Sequence, residues 1–117
     1  LKDLDKHKFI TYGKGAPSPV YNPDWVLKLG AKEGKKRKSI MKVNSVYGLL
    51  LAVQSGVGLA AIPDYIAHNV NNITKVLPSE TGKPTETHFV YPASLKTNAR
   101  LIAFRNFIFS KVSEWKF

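Results

Sequence analysis

The sequence contains no cysteine, which excludes disulfide bonds and thiolate metal sites. No apolar run approaches the ~20 residues that a membrane-spanning helix needs, and no signal peptide is recognisable. The 117 residues, of which 44% are hydrophobic, are enough for one globular domain. Because the chain begins with Leu1 rather than Met, we expect it to be a piece of a longer protein.

Acidic residues are scarce: eight Asp and Glu stand against 18 Lys and Arg, for a net charge of +10. Such an excess attracts nucleic acid, acidic partners or anionic ligands, and it is equally compatible with a solvated basic surface. The only dense cluster is Lys35 to Lys38. Neither an aromatic stacking surface nor a helix-turn-helix pattern accompanies it, so a solvated turn is favoured over a phosphate-binding patch.

Constellations typical of catalysis are also missing. His7, His68 and His88 fall in three separate segments without metal-ligand spacing, and the serines lack a nucleophile-elbow context. No two carboxylates form a convincing acid/base pair. We therefore expect no catalytic residue, no metal and no cofactor.

The most informative stretch runs from Asn44 to Tyr65. Asn44 and Ser45 are good N-cap residues, and the apolar residues that follow recur at helical spacing. Ser55-Gly56 predicts the end of this helix, because glycine adopts the left-handed conformation without a Cβ penalty. The apolar run 57–62, closed by Pro63, predicts a buried strand. A helix that leads through a glycine turn into a strand is half of an α/β unit.

The rest of the chain predicts a mixed α/β domain, a small sheet covered by two main helices. One helical turn is expected at 64–69 with Tyr65 and Ile66 facing inward, and a long helix at 98–115. Segments 24–30 and 39–43 are expected to pair as a β-hairpin. The predicted strands are 9–12, 24–30, 39–43, 57–62, 86–91 and, as a short strand or extended edge, 73–77.

The start of the first predicted helix is the best candidate for a binding site. A helix N-terminus offers free N–H groups and the positive end of the helix dipole, which suit a carboxylate or another anion. Alternatively, Asn44 and Ser45 only cap their own helix, and the residues by themselves favour this simpler explanation.

Several stretches, in order, resemble the effector-binding domain of LysR-type transcriptional regulators. "VNSVYGLLLAVQSGVGLAAIPDY" is similar to the signature of a capped apolar helix, a glycine turn and a strand that ends in Pro. "DLDKHKFITYG" resembles the entry into the second subdomain, and "DWVLKL" with "IMKVNS" its central hairpin. "ITKVLP" resembles an edge segment, and "HFVYPASLKTNARLIAFRNFIFSKV" the final strand and helix.

The resemblance implies a periplasmic-binding-protein-like fold of type II, with a mixed sheet flanked by helices. Residues of about 4–88 would form the second subdomain, and about 89–117 the returning strand and helix of the first. Five positions match the effector-facing helix start and the loop at the cleft mouth. They are Tyr12, Gly13, Asn44, Ser45 and Val46.

Functionally, the resemblance implies a cytoplasmic, non-enzymatic sensing domain that binds a small, anionic metabolite and controls transcription by its parent protein. DNA would be contacted only through a helix-turn-helix domain absent from this chain, no membrane would be involved, and a homo-oligomer is expected. One alternative is a solute-binding module of the same fold with no DNA role. A basic nucleic-acid-binding module is the third hypothesis.

Overall fold

The computed structural model describes residues 1–13, 22, 24–33 and 35–115. The chain divides into two compact units, Leu1–Thr85 and Glu86–Phe117. The assignment of parts of the chain to the two subdomains of the family stays a prediction.

The first unit is built on two parallel strands, β1 (Phe9–Tyr12) and β2 (Ser39–Val43). β1 consists of β-branched and aromatic residues, which fit a pleated, buried surface. Ile10 lies opposite Met41 and Tyr12 opposite Val43, with one irregularity between Phe9 and Ile10. Both strands were predicted at these positions, and both predictions are confirmed.

The predicted β-hairpin over 24–43 is wrong. Trp25–Leu27 forms a 3-10 helix, held by local bonds in which Leu27 N–H donates to Asp24 O at 3.1 Å. β2 pairs with β1 instead, in parallel, so the mixed sheet that the hairpin would have created is not found in the described residues. Apolar residues in consecutive positions are compatible with a strand or a helical turn. Here the local hydrogen bonds of the 3-10 helix form instead of strand pairing.

Helix α1 (Val46–Gln54) follows β2 directly, as predicted. Gly56, at φ +73°, takes the left-handed conformation that ends it. The next segment returns to β1: Ile10 N–H donates to Leu59 O at 2.9 Å, and Leu59 N–H donates to Lys8 O at 2.8 Å. Only one bridge, between Phe9 and Leu59, forms there, and residues 57–62 are half-buried, so the predicted buried strand is realised only as this short contact.

β1 has a small apolar core on each of its faces. Ile10 and Tyr12 pack with Leu49 and Ala52 of α1 in one core. On the alternate side, Phe9 packs with Leu4 of the first 3-10 helix (Lys2–Lys6) and with Leu27. All four β1 residues are therefore buried, as expected of a strand covered on both faces.

Beyond this core the first unit is less regular than predicted. Helix α2 (Asp64–Ala67) forms the expected turn, but Tyr65 is exposed rather than inward. Residues 73–77 form no strand: left-handed backbone at Asn72 (φ +68°) and Leu77 (φ +62°) bends the chain at both ends.

The second unit contains a 3-10 helix (Ala93–Leu95) and helix α3 (Ala99–Ser113). Asn98 caps α3, accepting from Arg100 N–H at 3.0 Å and Leu101 N–H at 3.1 Å, and the predicted helix is confirmed. The strand predicted at 86–91 is wrong, since these residues form no strand pairing and belong to no regular secondary structure. No helix in the described part of the chain is both long and apolar enough to cross a membrane.

Candidate functional site

The carboxyl ends of β1 and β2 meet at one edge of the sheet, because the two strands are parallel. Tyr12 ends β1 and Gly13 follows it, whereas Asn44 and Ser45 link β2 to α1. Gly13 N–H donates to Val43 O at 2.9 Å. The structure therefore brings the five predicted site residues, Tyr12, Gly13, Asn44, Ser45 and Val46, to one place.

Ser45 is the N-cap of α1. Its backbone is extended (φ −135°, ψ 130°), and its Oγ accepts from Gly48 N–H at 3.2 Å. A serine hydroxyl that accepts one bond still carries its own hydrogen as a donor. Capping and ligand contact are therefore compatible at this residue.

The Asn44 side chain is exposed, and its amide has no hydrogen-bond partner among the residues that the structure describes. The backbone carbonyl of Asn44, in contrast, accepts from the Tyr12 hydroxyl at 2.7 Å. Asn44 thus presents a side chain with two donors and one acceptor to solvent, while its main chain is anchored to β1.

Tyr12 and Val46 face the core more than the solvent. Tyr12 is only 8% exposed and belongs to the cluster with Ile10 and Leu49, and the half-buried Val46 packs against the same cluster. Side-chain contact between Val46 and a ligand is therefore limited, although its backbone N–H lies in the first turn of α1, where helix N–H groups lack intrahelical partners.

The electrostatics of this edge favour an anion. The first turn of α1 contains no acidic residue, so nothing on the helix itself neutralises the positive end of its dipole.

Gly48 is a residue of this site that the sequence analysis missed. A Cβ at this position would lie 2.7 Å from Val43 Cγ1 and 3.5 Å from Ser45 Cβ. The close approach of α1 to the end of β2 therefore depends on glycine. The available signal was a glycine inside an otherwise apolar helix, where it costs stability unless packing requires it.

The basic cluster at 35–38 is not a simple solvated turn. The Arg37 side chain is only 10% exposed; its Nε donates to Asp5 at 2.6 Å and its Nη1 to Leu29 O at 2.6 Å. Its guanidinium lies 5.7 Å from the centre of the Phe9 ring. Lys36 forms an ion pair with Asp24 at 2.8 Å. Arg37 therefore holds the segment before β2 against the core, a structural role that the charge pattern did not reveal.

The remaining candidates lie apart from this edge. Across the described ranges, no group of three or more His, Cys, Asp or Glu residues is placed to hold a metal ion. An open groove of about 330 Å³ lies at the other end of α1, lined by residues that include His7, Lys8, Gly56 and Asn72, and none of the five site residues lines it. This groove adjoins the negative end of the α1 dipole, so the positive charge of Lys8, which lines the groove, complements the helix there.

Comparison with known proteins gave one result. The family model of the LysR substrate binding domain matches residues 1–112. No curated protein and no solved structure gave a match. The family model covers nearly the whole chain, and the motifs that it spans include both strand ends and the capped helix described above. The chain therefore belongs to the LysR substrate-binding domain family.

Proposed function

We propose that this chain is the effector-sensing domain of a LysR-type bacterial transcriptional regulator, and that it binds a small anionic metabolite at the edge formed by Tyr12, Gly13 and Asn44–Val46. Membership of the family supports the sensing role. DNA binding belongs to a helix-turn-helix domain outside this chain. The protein would be cytoplasmic, homo-oligomeric and non-enzymatic.

One observation carries the location of the site: two parallel strands and the N-terminus of α1 converge there. The chain leaves β1 to form β2 on one side, and after α1 it returns to the other side of β1 at Leu59. In open α/β sheets, ligands bind outside the carboxyl ends of the strands, where the order of connections reverses in this way. The carboxyl end of β1 is followed directly by Gly13.

The chemistry of the edge supports an anionic ligand. The donors available to it are the Ser45 hydroxyl, the Asn44 amide and the unpaired N–H groups of the first turn of α1. Backbone donors at a helix N-terminus bind carboxylates and phosphates through both hydrogen bonds and the dipole. The net charge of +10 would also raise the local concentration of anions.

Thermal unfolding of the intact protein in the presence of a panel of small carboxylates tests this function. A ligand at a hundred times its Kd stabilises a fold by about 2.7 kcal/mol, which is readily measured as a shift in Tm. Asn44→Asp places a negative charge at the site and should abolish the shift. Asn69→Asp makes the same change at an exposed position beside α2 and should leave it intact.

Two outcomes would contradict the proposal. One is a panel in which no anion raises the Tm of the intact protein. The other is an anion that raises the Tm of the Asn44→Asp variant as much as that of the Asn69→Asp variant, because the ligand would then bind elsewhere.

A further inference from the structure

We infer that Tyr12 is a positioning residue of the effector site rather than a direct ligand contact: its hydroxyl orients the Asn44–Ser45 peptide so that the Ser45 N–H faces the ligand. The inference rests on the proposed function and assigns to Tyr12 a role different from the one that family resemblance suggests.

The Tyr12 ring is a fixed anchor. It is 8% exposed and packs in the core with Ile10, Leu49 and Ala52. Its hydroxyl hydrogen is used in the 2.7 Å bond to Asn44 O. Moving this hydroxyl toward a ligand would require repacking of the core, which resists displacement because it is densely filled.

Three successive backbone carbonyl groups in the turn between β2 and α1 accept hydrogen bonds. Val43 O accepts from Gly13 N–H at 2.9 Å, Asn44 O accepts from the Tyr12 hydroxyl, and Ser45 O accepts from Leu49 N–H at 3.0 Å. The first two bonds connect the turn to the end of β1, and the third starts α1. The bond from Tyr12 is the only one of the three that comes from a side chain, so a single substitution can remove it.

The consequence for the site follows from the planar trans peptide. In such a unit, the C=O of one residue and the N–H of the next point in opposite directions. Because the Asn44 carbonyl points toward the buried Tyr12, the Ser45 N–H points away from it, toward the exposed side of the turn. Within the described residues no backbone acceptor is found for this N–H. It is therefore available to an anion, together with the Ser45 hydroxyl.

Amide NMR of the intact protein tests this inference, with inorganic sulfate as the probe anion against chloride at constant ionic strength. Tyr12→Phe keeps the ring and removes the hydroxyl. It should shift the Ser45 amide resonance before any sulfate is added and weaken sulfate binding at Ser45 about fivefold, the factor that corresponds to one net hydrogen bond of about 1 kcal/mol.

Two controls separate positioning from a general loss of structure. Tyr65→Phe removes the same atom from an exposed ring on α2 and should change neither the Ser45 resonance nor sulfate binding. Asn44→Ala removes the side chain but retains the carbonyl that Tyr12 binds, so the orientation of the Ser45 amide should be kept while sulfate binding weakens.

A Ser45 resonance and a sulfate affinity that are both unchanged in Tyr12→Phe would overturn the inference. So would a Tyr12 hydroxyl proton that, in the unmodified protein, exchanges with water as fast as that of Tyr65. If sulfate perturbs no amide of the unmodified protein, the proposed anion site fails, while the sulfate-free resonance of Ser45 still decides the role of Tyr12.

Discussion

β1 and α3 are both rich in aromatic and branched apolar residues, yet their surroundings are opposite. All four residues of β1 are buried, whereas none of the 15 residues of α3 is. α3 nevertheless has a complete N-cap with two hydrogen bonds. The start of a helix can therefore be specified by a local signal, whereas the burial of an apolar side chain depends on what the rest of the chain brings to it.

The largest expected effect is on stability, and it compares a substitution in β1 with one in α3. Ile10→Ala should lower the free energy of unfolding by about 2–5 kcal/mol, because Ile10 is fully buried and its loss leaves a cavity between β1 and α1. Phe107→Ala on α3, where the ring is 56% exposed, should cost less than about 1 kcal/mol. Urea denaturation of both variants measures the difference. Equal losses would refute the contrast between β1 and α3.

An intermediate effect is expected for the cation that lies against β1. Arg37→Met retains the aliphatic stem but removes the bond to Leu29 O and the contact with Phe9, and should cost about 2 kcal/mol. Because Asp5 is 71% exposed, its ion pair contributes little of this loss, and Asp5→Asn should cost less than about 1 kcal/mol.

Lys38→Met is the matched control for Arg37→Met, since Lys38 is exposed in the same basic cluster. It should change the free energy of unfolding by less than about 0.5 kcal/mol. If Arg37→Met lowers the free energy of unfolding no more than Lys38→Met does, Arg37 has no structural role and the whole cluster is a solvated surface.

The smallest effect concerns the two helix caps. Asn98→Ala and Ser45→Ala should each remove about 1 kcal/mol. Because α3 buries no side chain, Asn98→Ala should reduce the helix content seen by circular dichroism. Ser45→Ala should lower the unfolding midpoint without loss of helix, since α1 is also held by Leu49 and Ala52 in the core.

Asn106→Ala, a change at an exposed position within α3, serves as the control for Asn98→Ala and should slightly raise helix content. If Asn98→Ala leaves the helix content of the protein unchanged, α3 is stabilised by more than its own local signals.

The features that were predictable from sequence are the ones with local causes. The cap at Ser45, the glycine turn at Gly56 and the cap at Asn98 define their helices through neighbouring residues only. The segment 24–30 was misassigned because its apolar residues suit either secondary structure, and the true partner of β2 is β1, about 30 residues earlier in the chain.

The candidate site was predictable only in part, for the same reason. Family resemblance grouped Tyr12 with Asn44, but no sequence spacing encodes the bond between the Tyr12 hydroxyl and the Asn44 carbonyl, which depends on the register of the two strands. Arg37 was misjudged because a run of charges normally marks a solvated surface, and burial of one guanidinium among four cations leaves no sign in the sequence.

The position of β1 between its two neighbours has a consequence for how the protein is made. β1 is synthesised before its partners: β2 and the segment around Leu59 emerge from the ribosome roughly 30 and 50 residues later. Parallel pairing across such distances is slow to form, because the loops must be closed before the contacts are gained. During that interval the residues of β1, Phe-Ile-Thr-Tyr, are exposed to solvent on the nascent chain. This short stretch is therefore where a chaperone would bind an unfinished chain.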